Sequence, residues 1–200
     1  GFDTKTLSSH LCIIHGKKDV LGVMGAKPIH LMKAEERNKT VPIHDYFIDT
    51  GMEVEAIKKL VSVGDPVTRE RQLIEMGDCV NSKSLDNRVS VFILLETLRL
   101  LKDQSVPYDI YAVFTVQEEV GLRGAINAAH HINPDFGFGL DVTIAFDVPG
   151  AQPHEMVTRL GKGAAIKVID VSTICDYRRV RYLESMAERQ NIPSQKYVLP

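Results

Sequence analysis

The sequence predicts an α/β protein in two parts: a small β-rich, barrel-like domain over residues 1–78, and a layered sheet with helices over residues 79–200. Three observations predict this. Short β-like runs separated by turn residues crowd the first 78 positions. Longer units of alternating strand and helix character follow. One of them, residues 110–116, is an unbroken apolar run of the kind found mid-sheet with both faces covered.

In chain order, residues 11–15 and 20–24 flank the polar turn Gly16-Lys17-Lys18-Asp19 and read as a hairpin. Residues 44–50 form a further apolar run, 53–61 a short helix, and Gly64-Asp65-Pro66 marks a turn. The second part starts with a helix over 89–101 that Asp86 is placed to cap. Its stretch Val91-Phe92-Ile93-Leu94-Leu95 suits a helix buried nearly all round. The strand at 110–116 runs into Gln117-Glu118-Glu119. A helix at 124–132, strands at 139–148 and 164–171, and an amphipathic helix at 176–190 complete the order, and the last residues, 194–200, read as a strand.

With 44% hydrophobic and 25% charged residues among 200, the chain has an ordinary globular composition and enough apolar material for a core. A formal charge of −2 and a pI near 6.4 create no field that draws the chain to nucleic acid or to a membrane surface. No apolar run approaches the roughly 20 residues that cross a bilayer. Three scattered cysteines, Cys12, Cys79 and Cys175, make neither a disulfide framework nor a metal-type pair and fit a cytoplasmic protein. The chain opens on Gly1 rather than Met and stops within a strand-like run, so both ends read as cut.

The chemistry concentrates in carboxylates. Glu118 and Glu119 stand where an apolar strand ends, which is where open α/β sheets place their ligand crevice. Adjacent like charges are costly unless one binds a cation and the other holds a proton part of the time. A metal and a general base would use the pair in that way. The pair also reads as a solvated start to a loop. Asp86 is likewise open to two readings, helix cap or site residue. Along residues 140–147 the large apolar side chains alternate with Asp141, Thr143, Ala145 and Asp147, which puts both aspartates on one face. Six residues of straight strand span about 20 Å, so both cannot share one ion, and periodicity does not choose between them.

Ser84-Leu85-Asp86-Asn87-Arg88, Thr115-Val116-Gln117-Glu118-Glu119-Val120-Gly121-Leu122-Arg123-Gly124-Ala125, Leu140-Asp141-Val142-Thr143 and Leu160-Gly161-Lys162-Gly163 closely resemble segments of the M42 metallo-aminopeptidases, of the tetrahedral and glutamyl aminopeptidase type. Similarity is weaker elsewhere, as at Phe47-Ile48-Asp49-Thr50-Gly51. The resemblance implies a zinc-peptidase-type catalytic fold, present in part over residues 79–200, with a barrel-like insert at 1–78 that makes dimer contacts around an aperture. It implies peptide substrates, two divalent metal ions per subunit (zinc or cobalt), and self-association to a dodecamer. On its pattern Asp86 bridges both ions, Glu119 and Asp141 each hold one, and Glu118 is the catalytic general base; Asp147 lies outside the pattern.

The family also uses two metal-binding histidines in segments that do not occur here. The seven histidines present, His10, His15, His30, His44, His130, His131 and His154, match neither motif and read as structural or exposed. Carboxylates alone suit magnesium or manganese better than zinc, so these 200 residues by themselves are expected to be inactive. Two other functions compete. Glycoside hydrolysis also uses paired carboxylates, and some relatives carry endoglucanase names, but adjacent glutamates and the lack of Trp fit it poorly. A non-enzymatic role in assembly is the other.

Overall fold

The computed structural model describes residues 3–199. Gly1, Phe2 and Pro200, which bear on the reading of the two ends, lie outside the described residues. The chain divides into two compact units, one through Gly137 and one from Phe138.

The first unit is anchored by the expected hairpin. Strands β1 (Leu11–His15) and β2 (Asp19–Gly25) pair antiparallel with His15 opposite Asp19, so the loop is Gly16-Lys17-Lys18. β3 (Phe47–Asp49) joins β2 and β4 (Val67–Arg69) joins β1, giving a four-stranded sheet in the order β3-β2-β1-β4. The alternation predicted for a half-buried strand is realised: Cys12 and Ile14 turn inward opposite Gly22 and Val20. Cys12 is fully buried, and that burial pushes its thiol pKa up. His15 ties three strands together, with Nδ1 2.9 Å from the Asp19 carboxylate and Nε2 2.8 Å from the Thr68 hydroxyl.

Beyond β3, α1 (Val54–Ile57) is the short helix expected near residue 53, and the Leu60 and Val61 amides still bond the Ile57 carbonyl. β5 (Ile74–Met76) and β6 (Cys79–Asn81) add a second hairpin. α2 (Leu85–Leu101) and α3 (Arg123–Ile132) are the two helices of the unit's later half.

The apolar character of α2 is not used within these residues. Val91, Phe92, Ile93, Leu95 and Leu100 are all exposed, and Ser90 is the helix's one buried residue. This corrects the reading of a helix buried nearly all round. Residues 110–116 correct another expectation, because they form no strand: Ile110, Tyr111, Val113, Phe114 and Val116 are exposed and no ladder partner lies beside them among the described residues. The two departures have one cause. A strand is a property of a hydrogen-bonded pair, and a helix stripe is buried only by what packs on it, so apolar sequence without a neighbour stays bare.

The second unit contains a β-α-β element. β7 (Ala164–Ile169) and β8 (Ser194–Val198) run parallel, and α4 (Tyr177–Arg189) connects them and packs on β7. Asp176 caps α4, its carboxylate accepting from the Arg178 and Arg179 amides, and Val180 and Ala187 are the helix's buried residues. Gly163, just ahead of β7, allows the chain to pass Pro193, whose carbonyl oxygen would lie 2.0 Å from a Cβ at that position. At the end of β7, Asp170 accepts from the Lys167 ammonium and from the Ser172 and Thr173 amides, which holds its carboxyl well below the usual range. Residues 139–148 are not a strand, again correcting the expectation. The chain bends at Phe146, whose φ of +59° breaks the extended run, so the straight geometry that put Asp141 and Asp147 on one face does not occur. Among the described residues no helix is long and apolar enough to cross a membrane.

Candidate functional site

The predicted site residues occupy three settings: Asp86 the irregular first turn of α2, Glu118 and Glu119 a 3-10 turn, and Asp141 an irregular stretch between α3 and β7. Asp86 lies at the start of α2, behind Ser84, whose φ is +64°. Its own backbone is extended (φ −81°, ψ 107°), the Asp86–Asn87 peptide is cis, and regular helix begins only after Asn87. Asp86 therefore stands ahead of the helical turns, not within them, and its side chain is exposed.

Glu118 and Glu119 occupy a single 3-10 turn, Glu118–Val120, framed by Gln117 (φ 58°) and Gly121 (φ 105°), both left-handed. The Gly121 and Leu122 amides bond the Glu118 carbonyl, and α3 starts at once. Gly124, in the first turn of α3, is required here: a Cβ would meet the Val116 carbonyl oxygen at 2.4 Å and its nitrogen at 2.7 Å, and the Gly124 amide bonds that carbonyl at 3.0 Å. The string from Thr115 to Ala125 is thus one knot, in which α3 leans directly on the backbone that leads to the two glutamates. Both residues are exposed.

Asp141 belongs to the second unit. It is exposed, with its carboxylate accepting the Val142 amide at 2.8 Å. Asp147 is half-buried and accepts the Leu160 amide at 2.8 Å, which ties residue 147 to the segment carrying Gly161 and Gly163 and gives it a structural task. That separation of duties was not readable from strand periodicity.

The structure thus brings Glu118 and Glu119 into one turn, while Asp86 and Asp141 stand on other segments. Among the described residues, no three His, Cys, Asp or Glu side chains are grouped so as to hold a metal ion. The donors at the predicted positions are all carboxylate oxygen, whereas zinc sites favour nitrogen or sulfur. On donor chemistry, these residues alone do not fit a pair of zinc ions. What they offer is two adjacent exposed glutamates on one turn and two further aspartates on other segments. Sequence reasoning missed the left-handed residues Gln117 and Leu122 that shape the turn, for which only Gly121 was a visible signal.

The mixed α/β architecture is that of solved aminopeptidases. The structure superposes on a TET aminopeptidase from the marine sediment archaeon Thaumarchaeota archaeon SCGC AB-539-E09 with a TM-score of 0.89 and 35% identity, covering 99% of this chain and 57% of that one. It also matches a TET1 peptidase of Pyrococcus horikoshii that assembles into a tetrahedron or a large octahedral shell, with a TM-score of 0.80 and 31% identity over 100% of this chain and 59% of the other. A predicted aminopeptidase of Acetivibrio thermocellus is 39% identical over 194 residues, 96% of this chain and 57% of that protein. The family model for M42 glutamyl aminopeptidases matches residues 1–200, and the chain belongs to that family. It spans little more than half the length of these relatives.

Proposed function

We propose that these residues form part of a two-metal aminopeptidase that removes N-terminal residues from peptides. The observation that carries the reading is the Glu118–Glu119 turn, locked against α3 through Gly124, inside a chain that matches the M42 family along its whole length. Glu118 is the general base, taking a proton from the attacking water and returning it to the leaving amine. Asp86, Glu119 and Asp141 would be the oxygen donors that these residues supply to two divalent ions, zinc or cobalt, with nitrogen donors from elsewhere needed to complete the set. Residues 1–78 are the β-rich, barrel-like dimerisation domain, and 79–200 the partial catalytic domain. The parent enzyme is cytoplasmic and self-associates to a dodecamer.

Two experiments test this. The 200-residue chain alone, assayed on aminoacyl-p-nitroanilides with added Zn²⁺ or Co²⁺, is expected to show no turnover above background. Grafted in place of the matching segment of the Thaumarchaeota enzyme, the same residues should support turnover that a chelator abolishes. A grafted protein that folds and binds metal yet hydrolyses peptides equally well with Glu118→Gln would refute the base assignment.

A further inference from the structure

The first unit carries a basic pocket far in sequence from the carboxylate segments. It is a concavity of about 310 Å³ lined by Lys5, Ser8, Arg37, Asn38, Lys39, Thr40, Val41 and Tyr46, three cations and several neutral hydrogen-bonding groups with no carboxylate among them. Its walls are tied together across the chain. The Thr4 hydroxyl donates to the Val41 carbonyl at 2.7 Å, the Tyr46 hydroxyl donates to the Thr4 carbonyl at 2.8 Å, and Ser8 Oγ lies 3.2 Å from the Tyr46 oxygen. These bonds hold the 37–46 loop onto the 3-10 turn Thr4–Thr6, which fixes the backbone around the hollow.

Two carboxylates close by in sequence, Glu36 and Asp3, already have hydrogen-bond partners. Glu36 accepts from Lys27 Nζ at 2.9 Å and from the Lys33 amide at 2.8 Å, and these bonds, with the charges of Lys27 and Lys39, hold its carboxyl below the usual range. Asp3 accepts the Lys5 amide as a cap. Three like charges around one hollow repel each other, and an oxyanion that accepts from them removes that cost. Arg37 supplies the planar fork that matches a carboxylate or phosphate edge. The hollow has the size of a small-ligand site and is several times larger than one phosphate.

We propose that this pocket binds a small anion carrying two or three oxyanion groups, held by Lys5, Arg37 and Lys39, with the Ser8 and Tyr46 hydroxyls committed to the bonds that fix the walls. Carboxylate and phosphate groups share that chemistry, and two probes separate them: citrate and pyrophosphate, each titrated into the 200-residue chain by calorimetry and by backbone amide NMR. Neither readout involves peptide hydrolysis, so the result is independent of the aminopeptidase reading.

Saturable binding of at least one probe is expected, with shifts centred on residues 5–8 and 37–46 and an affinity that falls as salt rises. Arg37→Gln or Lys39→Gln should each weaken it roughly tenfold, as loss of one charged hydrogen-bonding partner does, while Lys102→Gln leaves it unchanged. The proposal is overturned if neither probe saturates, if the shifts fall elsewhere, or if Lys102→Gln weakens binding as much as Arg37→Gln. The NMR map decides the matter even if the charge variants fail to fold.

Discussion

The β1–β2 hairpin and residues 110–116 are both apolar runs that sequence alone marks as strands, yet only the hairpin becomes one. In the hairpin, Cys12 and Ile14 are buried and every register position has a partner across a three-residue loop. In the 110–116 run, Val113 and Phe114 are 39% and 49% exposed, and no ladder forms. The hairpin carries its partner within fifteen residues, so loop closure costs little. The second run needs neighbours from farther away, and its hydrophobicity records that need without meeting it.

The sharpest way to break this comparison is the graft. If residues 110–116 are a central strand in waiting, Phe114→Ala should be nearly silent in the isolated chain, within about 0.5 kcal/mol, and cost about 3 kcal/mol in the graft, measured by denaturant unfolding. Equal costs in both settings would show that the segment is not completed by added chain. The largest single effect is expected just beyond that run: Glu118→Gln in the graft should lower kcat by about 10²- to 10⁴-fold with little change in KM.

Ile14→Ala should destabilise the isolated chain by about 2–4 kcal/mol, because the site is already packed. Amide hydrogen exchange should follow the same division, with the paired amides of β1 and β2 slower than those of 110–116 by roughly 10²-fold. The smallest effect belongs to the second unit. Because Asp170 is ionised more readily in the folded chain than in the unfolded one, its contribution is present above the ordinary carboxylate pKa and lost as pH falls below it. Thermal melts of Asp170→Asn should therefore differ from the parent near neutral pH and converge with it in acid.

Local chemistry made much of the molecule legible. The hairpin, the helix near residue 54, α3, β7 and α4 were all visible in apolar period and turn residues, because a cap such as Asp176 or a tight loop such as Gly16–Lys18 acts over a few residues. The four carboxylates were also visible as candidates, Glu118 and Glu119 most clearly, since one turn carries both. Their roles were not. Asp141 and Asp147 looked equivalent by alternation until the bend at Phe146 and the bond from the Leu160 amide gave Asp147 a structural task. The basic pocket could not be foreseen either, because Lys5, Arg37 and Lys39 meet only through the Thr4–Val41 and Tyr46–Thr4 bonds.

The sequence by itself determined which residues belong to turns, caps and short pairings, and, through the Thr115–Ala125 string, the family of the chain. Tertiary structure alone decided which apolar runs are covered, which aspartate is tied down and which charges share a hollow. Each of those outcomes depends on groups distant along the chain being brought within a few ångströms, and neither periodicity nor propensity carries that distance.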